Sequence, residues 1–218
     1  FMVGEMASVG TVPFIVGGDH SLMFADVSAM ADVHGKGGFA VIQFDAHYEG
    51  EKNSDHLISD QQTVHRLIAD GVIAPTQLVQ VGVRGLEMTT AELGGLRGQG
   101  VRIHTMADVE KEGWQAIATK VLDQVKAGPP KVFVSFDMSV LDPAYAAGSG
   151  RPVPNGLTMR EAVPLVRTIC AESRVIGFEL LDPAPILDVS YRTAQNANYI
   201  MHSCLAGIAL RKVKAGKP

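Results

Sequence analysis

An α/β fold with a mostly parallel sheet and helices on its faces follows from three observations on this 218-residue chain. Short β-branched apolar runs alternate with helical patterns along its length. The runs are continuously apolar rather than alternating, as strands buried on both faces are. No low-complexity tract, charge block or short-period repeat interrupts the alternation, so a single domain is expected over residues 1–218.

The strands are expected over roughly 12–16, 39–45, 78–83, 101–105, 131–137 and 174–181. Helical spacing covers 21–34, 63–71, 89–97, 113–127, 158–171 and 193–213. Thr158 with Glu161 forms a capping-box signature at the start of the fifth of these. Two long loops stand out, Gly50 to Asp60 and Asp142 to Gly156. In a parallel sheet such loops leave the C-terminal strand ends, where ligands are held.

Composition narrows the function classes. Hydrophobic residues make up 46% and charged residues 19%, an ordinary globular balance. The net charge of −4 gives no reason to invoke nucleic acid or an anionic membrane as partner. The apolar stretches are strand-sized, far short of the roughly 20 residues a membrane helix needs. With no signal-peptide pattern either, a cytoplasmic protein is expected. Cys170 and Cys204 sit in apolar helical contexts and read as two buried thiols, a disulfide or a catalytic thiol being the alternatives. The chain opens at Phe1 with about a dozen residues before its first motif, so an N-terminal part of the protein is expected to be missing from it.

Three strands run into carboxylates and imidazoles. Val12 to Val16 leads to Gly17-Gly18-Asp19-His20-Ser21, Val41 to Phe44 leads to Asp45-Ala46-His47-Tyr48-Glu49, and Lys131 to Val134 leads through Ser135-Phe136 to Asp137-Met138-Ser139. Residues two apart in extended geometry point the same way, so Asp45 and His47 face one side, Glu49 joins them if the strand persists, and Asp137 and Ser139 repeat the spacing. Any one such residue is usually a turn former or cap. Three strand ends of this kind in order describe a site for a hard or borderline divalent cation held by oxygen and nitrogen donors. Asp45 and Asp137 are placed to bridge two such cations, and water between them would lose a proton near neutral pH.

In this order the motifs resemble the ureohydrolase family, which includes arginase, agmatinase, guanidinobutyrase and formiminoglutamase. Gly148 to Thr158, the Pro185–Asp188–Thr193 connection and Gln80 to Arg84 agree with it, and the likeness runs from about residue 12 to 212. The resemblance implies a three-layer α/β/α fold, a trimer or hexamer, and hydrolysis of a small cationic guanidino substrate at a binuclear manganese centre, occasionally nickel. It makes His20, Asp45, His47 and Asp137 metal ligands. Glu49 stands where the family usually has aspartate, and keeps donor and charge. Ser139 stands where the family has a chelating aspartate, so the second metal position is weakened or empty. Glu179 and Asp182 take the family's last acidic motif with their lengths exchanged, and one of them would hold the guanidinium. Gln61 takes the place of a histidine that helps proton transfer; His56 and His65 lie nearby, though both read better as surface histidines.

Three functions fit these residues. The first is an active amidinohydrolase that releases urea from a guanidino compound. The second is a catalytically silent subunit completing a hetero-oligomer, of the kind that hydrolyses metformin. The third is a related hydrolysis at one metal held by His20, Asp45, Glu49 and Asp137.

Overall fold

The computed structural model describes residues 2–51, 59–86 and 88–216. Six strands form one sheet: β1 (Phe14–Val16), β2 (Ala40–Phe44), β3 (Leu78–Val83), β4 (Arg102–Thr105), β5 (Lys131–Asp137) and β6 (Arg174–Leu181). Their order is β1-β6-β5-β2-β3-β4, and every neighbouring pair is parallel. The helices are α1 (Met2–Ser8), α2 (Leu22–His34), α3 (Thr63–Ala69), α4 (Thr90–Gln99), α5 (Met106–Glu112), α6 (Trp114–Lys126), α7 (Met159–Glu172) and α8 (Arg192–Lys214).

Alternate residues of β2, β3, β5 and β6 enter two separate cores. Val41, Leu78, Phe133 and Ile176 pack with Met23, Val27 and Met30 of α2 and with Val64 and Leu67 of α3. Ile42, Val79, Val134 and Phe178 pack with Ile117 and Val121 of α6, Leu165 and Ile169 of α7 and Ile200 of α8. The result is the three-layer α/β/α arrangement, with β2, β3, β5 and β6 buried on both sides. β2 and β5 lie side by side although β3 and β4 extend the sheet beyond β2, so the connections diverge between them. Such a reversal opens a crevice at the C-terminal strand ends.

All six expected strands are present, with β1 two residues shorter than expected. Helices α1 and α5 lie outside the sequence expectation. α5 has seven residues, too few to show a period, but Thr105 and Asp108 close a capping box at its start. The expected box at α7 is also formed: Glu161 Oε2 accepts from Thr158 N at 2.9 Å and from its hydroxyl at 2.8 Å. No helix among the described residues is long and apolar enough to cross a membrane.

The cysteines correct an expectation. Both are wholly buried, as read, but they form a disulfide joining α7 to α8, with Cα atoms 5.3 Å apart. The cause is close helix packing at Gly207, where a Cβ would come within 2.5 Å of Arg167 O and 2.8 Å of Cys170 Cβ. The separation of 34 residues carried no sign of this pairing.

Candidate metal centre

The ligand candidates sit where strands give way to turns, Asp137 as the last residue of β5 and the others just beyond a strand end. β1 leaves the sheet through Gly17 and Gly18 at φ 98° and 77°, which bring His20 back over the strand ends before α2 begins. β2 ends at Phe44, after which Asp45 Oδ1 accepts the backbone N–H of His47 at 2.8 Å. Asp137 Oδ1 accepts the N–H of Ser139 at 2.6 Å in the same way, at the start of a 3-10 turn. The extended i, i+2 geometry expected from the spacing is therefore corrected: side-chain-to-backbone turns place these residues. Glu49 arrives by a left-handed residue, φ 50°, not by persistence of the strand. Gly82, at φ 106°, lets β3 approach closely, since a Cβ there would meet Asp45 O at 3.0 Å.

The turns converge. Ligand atoms of His20, Asp45, Glu49 and Asp137, all buried, lie within 4.8 Å of one another. His20 Nδ1 is 2.7 Å from Asp45 Oδ2, 3.0 Å from Glu49 Oε1 and 3.1 Å from Asp137 Oδ2, yet makes no aligned hydrogen bond. These four atoms lie close enough together for one ion to be held among them. Beside them, Asp45 Oδ1 is 3.1 Å from His47 Nδ1 and accepts from Ser139 Oγ at 3.0 Å, which marks a second corner around the shared Asp45.

The charges are consistent with an electrostatic cluster that wants a cation. Burial alone would lower the pKa of His20, but Glu49 and Asp45 raise it well above the usual imidazole value. Burial raises Glu49 well above the carboxylate range, with His20 opposing and Asp45 adding to the rise. Asp45 is held low despite its burial, because His20 faces it. Three buried carboxylates around one imidazole are costly unless a positive charge joins them.

Beneath the cluster runs a feature that the sequence reading missed. Gln80, Gln43, Ser135 and Glu179 occupy consecutive positions across β3, β2, β5 and β6, and all four are fully buried. Gln80 Nε2 donates to Gln43 Oε1 at 2.9 Å, and Gln43 Nε2 donates to Asp45 Oδ2 at 3.0 Å and Glu49 Oε2 at 3.3 Å. Ser135 Oγ lies 2.8 Å from His20 Nε2 and fixes the ring from behind. A lone polar residue in the middle of each apolar strand was the available signal.

Glu179 and Asp182 separate into different environments. Glu179 is enclosed in the row, raised by burial and adjoining Asp26 of α2, which burial also raises. Asp182 is partly exposed at the rim, adopts φ 63°, accepts the N–H of Gly150 at 2.8 Å, and is raised to about 6 by burial and by Asp137. Gln61 is half-buried before α3, its carbonyl accepting the N–H of Glu51 at 3.1 Å; His65 is half-buried on α3, and His56 lies outside the described residues. Asp188 caps the start of α8 through Thr193, whose hydroxyl in turn accepts from Gly148 N at 2.8 Å, so this motif anchors the 148–156 loop.

A cleft of about 460 Å³ opens beside His47, between Arg84 and the 152–155 stretch. Arg84 braces its floor: Nε and both Nη atoms donate to carbonyls of Gly82, Ser139, Val140, Leu141, Val153 and Pro154. Arg151 pairs with Asp60 at 2.8 Å across the rim.

The donor set fits a divalent metal. His20 Nδ1 and Glu49 Oε1 are buried without an aligned hydrogen bond and lie 3.0 Å apart, and their mix of imidazole and carboxylate suits manganese, nickel, iron or zinc.

The comparisons with known proteins agree with this geometry. The family model described as the arginase family matches residues 2–207. Formimidoylglutamase of Bacillus subtilis (strain 168) is 31% identical over 203 residues, 93% of this chain and 63% of that protein. Its crystal structure superposes with a TM-score of 0.89 at 29% identity, covering 96% of this chain and 65% of that one. The mitochondrial agmatinase of Gallus gallus is 31% identical over 87% of this chain and 55% of its own length. The mitochondrial guanidino acid hydrolase of Homo sapiens is 29% identical over 94% and 57%. The chain thus spans less than two thirds of the length of these relatives. With the family model covering nearly all of it, and a parallel sheet converging on a His/Asp/Glu centre, this chain belongs to the arginase family.

Proposed function

We propose that this chain is a subunit of a metal-dependent amidinohydrolase, cleaving a guanidino-type C–N bond to release urea or its analogue. The convergence of His20 Nδ1 with Asp45, Glu49 and Asp137 carries the reading. His20, Asp45, Glu49 and Asp137 would hold a first divalent ion, manganese before nickel, and Asp45 with His47 would hold a second. Such ions, when bound, supply Lewis-acid activation of water and of the amidine. The chain's own residues do the rest. Asp182, above its pKa, offers a carboxylate at the rim to a fork-shaped amidinium. The N–H of Gly150 fixes one oxygen of that carboxylate. Gln43 holds Asp45 and Glu49 at fixed rotation, and Ser135 holds His20. Glu179, enclosed in the row, is left with a supporting role.

Ser139 favours a second reading, a catalytically silent subunit of a hetero-oligomer, because a neutral hydroxyl stands in the second corner. A trimer or hexamer, with copies of itself or of a paralogue, in the cytoplasm, completes the proposal. Metal analysis together with urea release from a panel of guanidino compounds tests it. One or two ions per chain with turnover supports the enzyme. No bound metal under saturating manganese or nickel leaves the silent subunit.

A further inference from the structure

The geometry points to Arg84 as a positioning residue for substrate: one guanidinium holds the wall of the cleft at a fixed distance from the turn that bears Ser139. This rests on the amidinohydrolase reading above. The wall, Pro152 to Asn155, lines the cleft beside His47. Pro152 and Pro154 have no amide hydrogen, so this stretch cannot be tied down through N–H groups at those positions. Its carbonyls are tied down instead. Arg84 Nη2 donates to Val153 O at 2.6 Å, and Nε donates to Pro154 O at 2.9 Å. Gly156 makes room for this, since a Cβ there would strike Arg84 Nη2.

The same guanidinium also serves the metal end. Nη2 donates to Ser139 O at 2.9 Å and Leu141 O at 3.3 Å, and Nη1 donates to Val140 O at 3.3 Å. These carbonyls lie at the end of the 3-10 turn Met138–Val140, where no further helical N–H follows to meet them. The backbone of Arg84 is fixed in turn, its N–H donating to Ala46 O at 2.9 Å, between Asp45 and His47. Burial brings the Arg84 pKa down to about 10, with Asp142 and Asp45 opposing the fall, so the fork is charged at neutral pH. A lysine head has a single centre and cannot lie between two sets of carbonyls in this way. The metal ligands are held by other groups: Asp137 caps Ser139 N at 2.6 Å, Ser135 holds His20, and Gln43 holds Asp45 and Glu49. Loosening Arg84 therefore moves the wall and leaves the ligands in place.

The test is equilibrium binding of butylguanidine to the full chain loaded with manganese, by calorimetry, with manganese affinity measured beside it. Arg84→Lys is expected to weaken butylguanidine roughly tenfold, because a displaced wall misplaces the ligand, while manganese affinity stays within about threefold of the parent. A merely structural role would lower the melting temperature without splitting the two affinities. Unchanged butylguanidine affinity overturns the inference and leaves the amidinohydrolase reading standing, and so does a loss of manganese affinity in step with it. Absence of butylguanidine binding to the parent overturns both. Should Arg84→Lys fail to fold, nitrogen NMR of the zinc-loaded parent decides. Arg84 is expected to show separate, slowly exchanging Nη protons that shift when butylguanidine is added. Averaged signals, or signals that stay in place, overturn the inference.

Discussion

Ser139 Oγ donates to Asp45 Oδ1 at 3.0 Å and lies 3.4 Å from His47 Nδ1, so a hydroxyl closes the corner where a second cation would be coordinated. It is 1% exposed and held by the 3-10 turn that Asp137 caps, so its position is fixed by the backbone. Ser139→Asp places a carboxylate there without moving the turn. Metal content, read by mass spectrometry of the dialysed protein, should rise from about one to about two ions per chain, since an anionic oxygen binds such ions far better than a neutral one. An unchanged stoichiometry would show that this position does not limit the site.

Ser135 Oγ lies 2.8 Å from the far nitrogen of His20, and neither residue touches solvent appreciably. Ser135→Ala frees the imidazole to rotate. Manganese affinity should fall by roughly 10- to 100-fold, as when other groups behind a ligand are removed. A titration with unchanged affinity would mean that packing alone orients the ring.

Asp182 has its pKa raised to about 6 by burial and by Asp137. The sign follows directly. Its amidinium-holding form exists above about pH 6, so guanidino-compound binding should fall as pH drops through that value. For stability the direction is opposite: between the unfolded carboxylate value and about 6 the folded chain keeps a proton that the unfolded chain has released. Asp182 thus adds stability at low pH that is lost as pH rises through about 6. Melting temperature against pH should show this slope in the metal-free parent and lose it in Asp182→Asn. Zinc, a diamagnetic positive charge beside Asp137, should move the carboxyl's NMR titration midpoint down. The same substitution should cost activity at least about 10²-fold. A variant with parental pH profiles would remove Asp182 from the proposal.

The Cys170–Cys204 bridge closes a loop of 34 residues that contains β6 and Asp182. By loop length it stabilises the fold by roughly 3–4 kcal/mol. Urea unfolding with and without a phosphine reductant should show the midpoint falling on reduction. Two titratable thiols in the unreduced, denatured protein would contradict the pairing.

Legibility differed between the backbone and the site. The strands could be read because continuous apolar runs have no other stable place than a sheet covered on both faces. His20, Asp45, His47 and Asp137 could be read because each sits at the end of such a run, and the motifs around them occur in family order. Glu49 was expected to join them if the strand persisted; it reaches the centre instead through a left-handed backbone, which no residue pattern announces. The buried row was not recognised, because Gln43, Gln80 and Ser135 are each a single polar residue in its own strand, and Glu179 was read as a guanidinium holder rather than as a member of the row.

The amino-acid order by itself determined the layer architecture, the family and the donor types, because these depend on local periodicity and on which chemistry stands at each strand end. Only the tertiary structure decided that four polar side chains share one row, that Glu179 is enclosed while Asp182 faces the rim, and that two cysteines meet. Those facts depend on strand order, register and helix approach, which join residues from distant parts of the chain and leave no mark in any one segment.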